Sequence, residues 1–236
     1  MTANHNAIKL AGLAGVSSIA LGIAGVIVDR MWTFPPTGST AAQIAGFAGA
    51  HRSALLAAMI LTTAAVGLWL MVGSGVWLWL RGATGEESVL SACFLVGLVS
   101  FVTLLLAGFT SFFVLVYRAP DAPDPRLLYD LAFGLLAMSG VPTALALGSY
   151  AALAFPSSRL PGWTAWVASV AALAHLVLLS SLVIRTGFFS LQGGVTIAIP
   201  ATLFAWILGM SIVLLRRGTQ LDSERVANRG ELSCNM

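Results

Sequence analysis

The sequence predicts an all-α membrane protein, a bundle of six transmembrane helices in one domain with both termini on the cytoplasmic side. Three observations support this fold class. Only 9% of the 236 residues are charged, whereas a soluble domain carries about 25%. Hydrophobic residues make up 58% and the mean hydropathy is +0.92, so lipid is the expected solvent. The apolar residues are also grouped into six long segments.

Each apolar segment is long enough to cross the hydrocarbon core, which is roughly 30 Å thick and needs about 20 helical residues. Polar residues, often with Pro or Gly, separate the segments. The predicted spans cover residues 10–28, 53–80, 88–117, 127–155, 162–185 and 195–215. They form a transmembrane domain over residues 1–217, and residues 218–236 are predicted to be a polar, flexible tail.

The connection between the first two spans, residues 29–52, is predicted to hold a short surface helix over 40–50. Pro35 and Pro36 interrupt helix formation before it, and Thr37 or Ser39 is the expected N-cap. Trp32 and Phe34 are typical of residues at the membrane interface.

The orientation follows from the positive charges. Six spans place both termini on one face, and with the termini inside, seven Lys and Arg residues lie in inner segments against five in outer segments. Cytoplasmic segments carry the excess of such residues. We therefore predict a multi-pass protein of the cytoplasmic membrane.

Small residues recur at helical spacing in two spans, which lets a neighbouring helix approach closely. They predict packing within the bundle, or against a partner membrane protein. The two sets are Ala14, Ser18 and Gly22 in the first span, and Gly140, Ala144, Gly148 and Ala152 in the fourth.

His175 is the most distinctive candidate for a site, because an ionisable side chain inside a span usually faces the bundle interior or a wet cavity. Ala168 and Ala171 precede it on the same helical face. One interpretation is a neutral histidine bonded to a neighbouring helix; the other is a ligand contact or proton carrier. Haem ligation by two histidines is disfavoured, since His5 and His51 lie at or outside the membrane edge.

Pro142 interrupts the fourth span beside Gly140 and Ala144. A proline removes one backbone hydrogen bond and bends a helix. The bend is either a packing feature or a hinge whose freed carbonyl groups line a cavity.

Asp130 opens the fourth span, four residues after Arg126, where the helix dipole and an ion pair both favour an acid. The alternative is a polar cluster with Arg118 on the outer face that binds a lipid headgroup or another anion. Further members of that cluster would be Asp29, His51, Arg52 and Arg185.

Several function classes are excluded or disfavoured. No Asp, Glu or Lys lies in the middle of a span, so the carboxylate relays of pumps are missing. Ser74 lacks the preceding Gly of a rhomboid-type Gly-x-Ser-Gly motif. No phosphate loop, HExxH or CxxC motif is present, and the cations form no single patch. We predict no catalytic residue, cofactor, metal site or nucleic-acid partner.

The segments LYDLAFGLLA, RLPGWTAWVASVAALAHL and FAWILGMSIVLLRR resemble a group of uncharacterised six-span membrane proteins of actinobacteria. The matching pattern is an Asp that opens the fourth span, a Leu-Pro-x-Trp turn before the fifth and a Trp-containing last span that ends in Arg-Arg. It is carried here by Asp130, Leu160, Pro161, Trp163, Trp206, Arg216 and Arg217. The resemblance implies a six-helix fold in the cytoplasmic membrane and brings no known activity.

Two functions are compatible with these features. The first is a non-enzymatic accessory or regulatory subunit of a membrane complex, indicated by the small-residue faces and the lack of charge within the spans. The second is a carrier or binder of a lipid-like or apolar molecule near Pro142 and His175. A cavity that reaches His175 would favour the second, and a solid bundle would favour the first.

Overall fold

The computed structural model describes residues 2–29, 33–84, 88–158 and 160–234. It shows a helical bundle in which six helices are long and apolar enough to cross a membrane, and this confirms the predicted fold class. The elements in chain order are α1 (Thr2–Asp29), α2 (Ala41–Ala50), α3 (Arg52–Thr84), α4 (Val89–Arg118), α5 (Pro125–Met138), α6 (Gly140–Ala154), α7 (Gly162–Val177) with a 3-10 turn (Leu178–Leu182), and α8 (Val195–Cys234).

α1 packs between α3 and α8, while α6 packs against α4 and α7. Small residues make these contacts close. A Cβ added to Gly15 would overlap the side chain of Ser211 in α8, and one added to Gly97 would lie 2.7 Å from the Pro142 carbonyl oxygen. The predicted packing of Ala14, Ser18 and Gly22 is confirmed, since all three are buried.

One end of the bundle, here called the closed half, has a solid core. Its residues come from α1, α3, α4, α6, α7 and α8 and include Leu80, Phe94, Tyr150 and Leu214. The Tyr150 hydroxyl lies 2.6 Å from the Thr164 hydroxyl and 3.0 Å from the Met210 sulfur. These contacts satisfy a polar group that would be costly to bury alone.

The fourth span is kinked rather than severed, since Ser139 keeps right-handed helical dihedral angles, donates its N–H to the Leu135 carbonyl and accepts from the Thr143 N–H. We call the single residue between α5 and α6 the break. α5 ends at Met138 and α6 begins at Gly140, so the break falls at Ser139, three residues before Pro142. The physical cause is the missing N–H of Pro142, which leaves the Met138 carbonyl without its helical donor. The bend predicted from Pro142 is therefore present, one turn earlier than the proline itself.

The short helix predicted over 40–50 is present as α2, but its N-cap is Thr40 rather than Thr37 or Ser39. The Thr40 hydroxyl accepts from the Gln43 N–H at 3.3 Å, and Gln43 Oε1 accepts from the Thr40 N–H at 2.8 Å. This is a capping box. The Thr37 hydroxyl instead hydrogen-bonds Gln192 in the loop before α8.

Phe34 is buried within the bundle, and Trp32 lies outside the described residues, so their predicted place at the membrane interface stays a prediction. The Phe34 ring packs against Phe47, Phe112 and Phe133 at centroid distances of 5.3–6.0 Å. The Tyr129 hydroxyl donates to the Pro35 carbonyl at 2.8 Å. The loop before α2 is thus anchored into the bundle.

The last helix continues past the sixth span to Cys234. The backbone of residues 218–234 is therefore helical, where the sequence predicts a separate tail. No proline follows Arg217, and Gln, Leu, Glu, Arg and Ala are good helix formers. The flexibility of this segment stays a prediction.

Candidate functional site

The other end of the bundle, here called the open half, contains a cavity of about 310 Å³. This volume is within the range of small-molecule sites, roughly 300–1,000 Å³. The walls are mainly aliphatic and aromatic and come from α1, α3, α4, α5, α7 with its 3-10 turn, and α8. The lining residues are Ile23, Val26, Ile27, Ala58, Met59, Thr62, Trp69, Phe101, Leu105, Phe109, Leu136, Ser139, His175, Leu178, Thr196, Ile197, Pro200, Ala201, Leu203 and Phe204.

The cavity has a side opening between α1 and α8. Of the lining residues there, Ile27 is 62% and Ile197 is 42% exposed, so their side chains border both the cavity and the outer surface of the bundle. The tight contacts of Gly12 and Gly15 with α8 lie in the closed half. The opening lies near the ends of both spans, since Ile27 is the next-to-last residue of the first span and Ile197 is the third residue of the last.

A second chamber of about 120 Å³ adjoins the first. The two share Met59, Leu105, Phe109 and Leu136 as walls. Phe34, from the anchored loop before α2, lines the far side of the smaller chamber. The two chambers are therefore adjacent, and both are lined mainly by apolar side chains.

Three irregular points of the helices border the main cavity. They are the break at Ser139, the end of α7 near His175, and Pro200 inside α8. Interrupted helices at membrane depth occur where they line a cavity or are buried in protein. The cavity therefore lies where three spans depart from regular helical geometry, although α8 itself continues through Pro200.

His175 lines this cavity and is only 2% exposed. Its Nδ1 lies 2.8 Å from the Ala171 carbonyl oxygen, one turn earlier in α7. Of the two interpretations of His175, the partner on a neighbouring helix is wrong, because the bond stays within α7. Among the described residues, Nε2 has no hydrogen-bond partner. Ala168 and Ala171 are fully buried, as expected for a helix interface.

Pro142, predicted to share a site with His175, does not line the cavity. The carbonyl of Pro142 faces α4, close to Gly97. Its effect on the site is indirect, because the break that it causes places Ser139 in the cavity wall. Of the predicted pair Pro142 and His175, only His175 therefore lines the cavity, together with Ser139.

Asp130 and Arg118 also lie away from the cavity. Arg126 Nε is 3.8 Å from Asp130 Oδ2, which confirms the predicted pair with Arg126. The N-cap of α5 is Asp124, whose Oδ1 accepts from the Leu127 N–H at 3.2 Å, so Asp130 does not cap this helix. Arg118 is exposed at the end of α4.

The polar cluster expected on this face is only partly described. Arg52 donates to the Tyr117 carbonyl at 3.1 Å and also lies over the Tyr117 ring. The side chain of Asp29 lies outside the described residues. These contacts tie α3 to α4, and they add no support for an anion site.

Of the cavity lining, the sequence indicates only His175, and four further lining residues are a proline or carry a hydroxyl group. Pro200 has the same sequence signal as Pro142, a proline inside an apolar span. Thr62, Ser139 and Thr196 carried no such signal, because hydroxyl residues are common in membrane helices and usually bond to their own backbone. Only the tertiary arrangement brings these three side chains to one cavity with His175.

No protein-family model, curated protein or solved structure matches the chain. The class of the protein therefore rests on its fold and composition. Six apolar helices of membrane-spanning length define a multi-pass integral membrane protein.

Proposed function

We propose that the protein binds a lipid-like or apolar small molecule in the cavity of the open half. The observation that carries this proposal is the space of about 310 Å³ that reaches His175 and opens between α1 and α8. Apolar cavities smaller than this, of about 150 Å³, take up apolar guests in proteins. A side opening between two spans lets a guest enter from the bilayer without passing through water.

The accessory role has weaker support. Gly97, Gly108 and Gly140, the small residues with the closest contacts in α4 and α6, pack against helices of this same chain. In the Gly140 ladder, only Gly148 and Ala152 are open, since a Cβ added to Gly148 would meet nothing within 4 Å and Ala152 is exposed. We keep a partner membrane protein as the alternative outcome of the test below.

Ala201 offers a direct test, because it lines the cavity and is exposed at its opening. We expect Ala201→Trp to block the opening and to reduce the amount of co-purified apolar ligand at least severalfold. Native mass spectrometry of detergent-purified protein, with extraction and quantification of bound lipids, measures this amount.

Ala205→Trp is the matched control. Ala205 lies one turn further along α8, is also exposed and does not line the cavity, so its replacement adds the same indole to the lipid-facing surface. Equal ligand content in both variants and the wild type would contradict the proposal. A wild-type protein that carries a stoichiometric protein subunit and no ligand would favour the accessory role.

A further inference from the structure

The polar side chains of the cavity share one property: each donates its own hydrogen to a backbone carbonyl three or four residues earlier in the chain. Since a carbonyl oxygen can only accept, the hydroxyl or ring N–H must be the donor in each bond. The bonds are Thr62 Oγ1 to Ala58 O (2.8 Å), Ser139 Oγ to Leu136 O (2.7 Å), His175 Nδ1 to Ala171 O (2.8 Å) and Thr196 Oγ1 to Gly193 O (2.8 Å). The hydroxyl oxygens and the free imidazole nitrogen therefore offer only lone pairs to a guest.

The remaining lining side chains supply no accessible donor and no charge. Trp69 is the only other lining residue with a side-chain N–H; its Nε1 has no hydrogen-bond partner among the described residues, but the atom is buried and not accessible from the cavity. The Trp69 ring is stacked on Phe101 and makes an edge contact with Phe204. No Asp, Glu, Lys or Arg is among the residues that line the described cavity.

His175 is the strongest of these acceptors. With Nδ1 donating to Ala171, a neutral imidazole carries its lone pair on Nε2. The backbones of the two elements meet here, because a Cβ added to Gly140 would lie 2.3 Å from the His175 carbonyl oxygen. The imidazole of α7 and the hydroxyl group of Ser139, at the break between α5 and α6, both belong to the cavity lining.

We propose that the ligand is a neutral, mainly apolar alcohol whose hydroxyl group donates its hydrogen to Nε2 of His175. This assignment rests on the proposed function and adds the chemistry of the ligand's polar end. The apolar part of the molecule occupies the main cavity, and the hydroxyl group lies at His175.

Other polar ends fit this wall less well. A carboxylate or phosphate brings negative charge to a site of lone pairs without donors, and an ammonium group brings a positive charge without a counter-ion; burying either is costly. A ketone, ester or ether has only acceptors, so it leaves both its own oxygen and the imidazole without a donor. A hydroxyl group supplies the missing hydrogen without a charge.

Competition among three matched probes tests the assignment. A photoreactive long-chain primary alcohol labels the protein in phosphatidylcholine nanodiscs, and the unlabelled alcohol, its methyl ether and the carboxylic acid of equal chain length compete. One hydrogen bond corresponds to about three- to tenfold in affinity. We therefore expect the alcohol to compete about three- to tenfold better than the ether, and the acid to compete more weakly than either.

Variants of His175 assign the preference to its ring nitrogen. His175→Phe keeps an aromatic ring without the acceptor, so alcohol and ether should compete equally in it. His175→Gln keeps an acceptor and should retain part of the preference. Should His175→Phe not fold, the wild-type comparison of alcohol with ether tests the inference by itself.

Two failures are distinguishable. If all three probes compete equally in the wild type and Ala201→Trp abolishes labelling, the cavity binds apolar molecules and the alcohol assignment is wrong. If no probe labels the wild-type protein, or if labelling is unchanged in Ala201→Trp, both the proposed function and the alcohol assignment are wrong.

Discussion

At the scale of single residues, Gly140 decides how α6 meets α7. A Cβ added to Gly140 would lie 2.3 Å from the His175 carbonyl oxygen, which is backbone and cannot rotate away. Gly148, two turns later in the same helix, has open space where a Cβ would be. The two glycines therefore differ in whether a larger residue fits at their position. Only Gly140 is required for the close packing of α6 against α7.

This difference gives a matched prediction. We expect Gly140→Ala to lower the free energy of unfolding by about 1–3 kcal/mol, because the helices must separate to admit the methyl group. Gly148→Ala should leave it unchanged or raise it by up to about 1 kcal/mol through helix propensity. Unfolding in mixed micelles, followed by circular dichroism, measures both; equal effects of the two substitutions would contradict this account.

His175 shows how tertiary structure gives a role to one side chain. The sequence indicates an interior histidine, and the structure places it in a cavity wall with one nitrogen committed and the other unpartnered among the described residues. The distinction matters because a ring with both nitrogens paired would have nothing left for a ligand.

At the scale of elements, prolines and caps determine where helices begin and break. Pro142 produces the break at Ser139, and Pro200 lies inside α8 where that helix lines the same cavity. Asp124 and Thr40 cap the starts of α5 and α2. These local effects shape the open half, whereas the closed half is formed by regular helix packing.

α2 provides the prediction at this scale. Thr40→Ala removes the hydroxyl that accepts from the Gln43 N–H, and such a loss costs about 1 kcal/mol. We expect faster hydrogen exchange of the amides in the first turn of α2, measured by mass spectrometry. Thr40→Ser retains the hydroxyl and serves as the control; exchange that is equally fast in both variants would show that the capping box is not what stabilises this turn.

At the scale of the whole molecule, the protein is divided into a solid and a hollow half. Aromatic and aliphatic side chains fill the core of the closed half around Phe94, Tyr150 and Trp206, while the open half contains the two adjacent chambers. A fully solid bundle would leave no room for a guest, and the accessory role would then have been the better proposal.

The topology can be tested on the intact protein. The loop from Arg118 to Pro125 and the turn from Phe155 to Pro161 lie at opposite ends of the fourth span. We replace Cys93 and Cys234 by Ser, introduce Asp121→Cys or Ser157→Cys, and apply a membrane-impermeant thiol reagent to intact cells. With the termini in the cytoplasm, Asp121→Cys should react at once and Ser157→Cys only after permeabilisation.

Two other labelling patterns would contradict the predicted topology. The reverse pattern would place the termini outside and contradict the orientation drawn from seven Lys and Arg residues against five. Labelling of both positions in intact cells would contradict the fourth crossing itself. The experiment therefore tests both the predicted side and the helical span between the two positions.

Much of the architecture was accessible from composition and periodicity. Six apolar segments of sufficient length predict the six spans, because a helix in lipid must satisfy its backbone internally and its length is set by the bilayer. The buried face of Ala14, Ser18 and Gly22 and the pair of Arg126 with Asp130 also follow from helical spacing. These are local properties, each readable within one or two turns.

The sequence by itself thus determined the class of protein, the number of spans and the interior position of His175. Tertiary structure alone decided that Pro142 acts through Ser139, that Thr62, Thr196 and His175 face one cavity, and that this cavity opens between α1 and α8. The physical reason is that apolar character and backbone bonding act along one helix, whereas a cavity is the space left between six helices after all of them have packed.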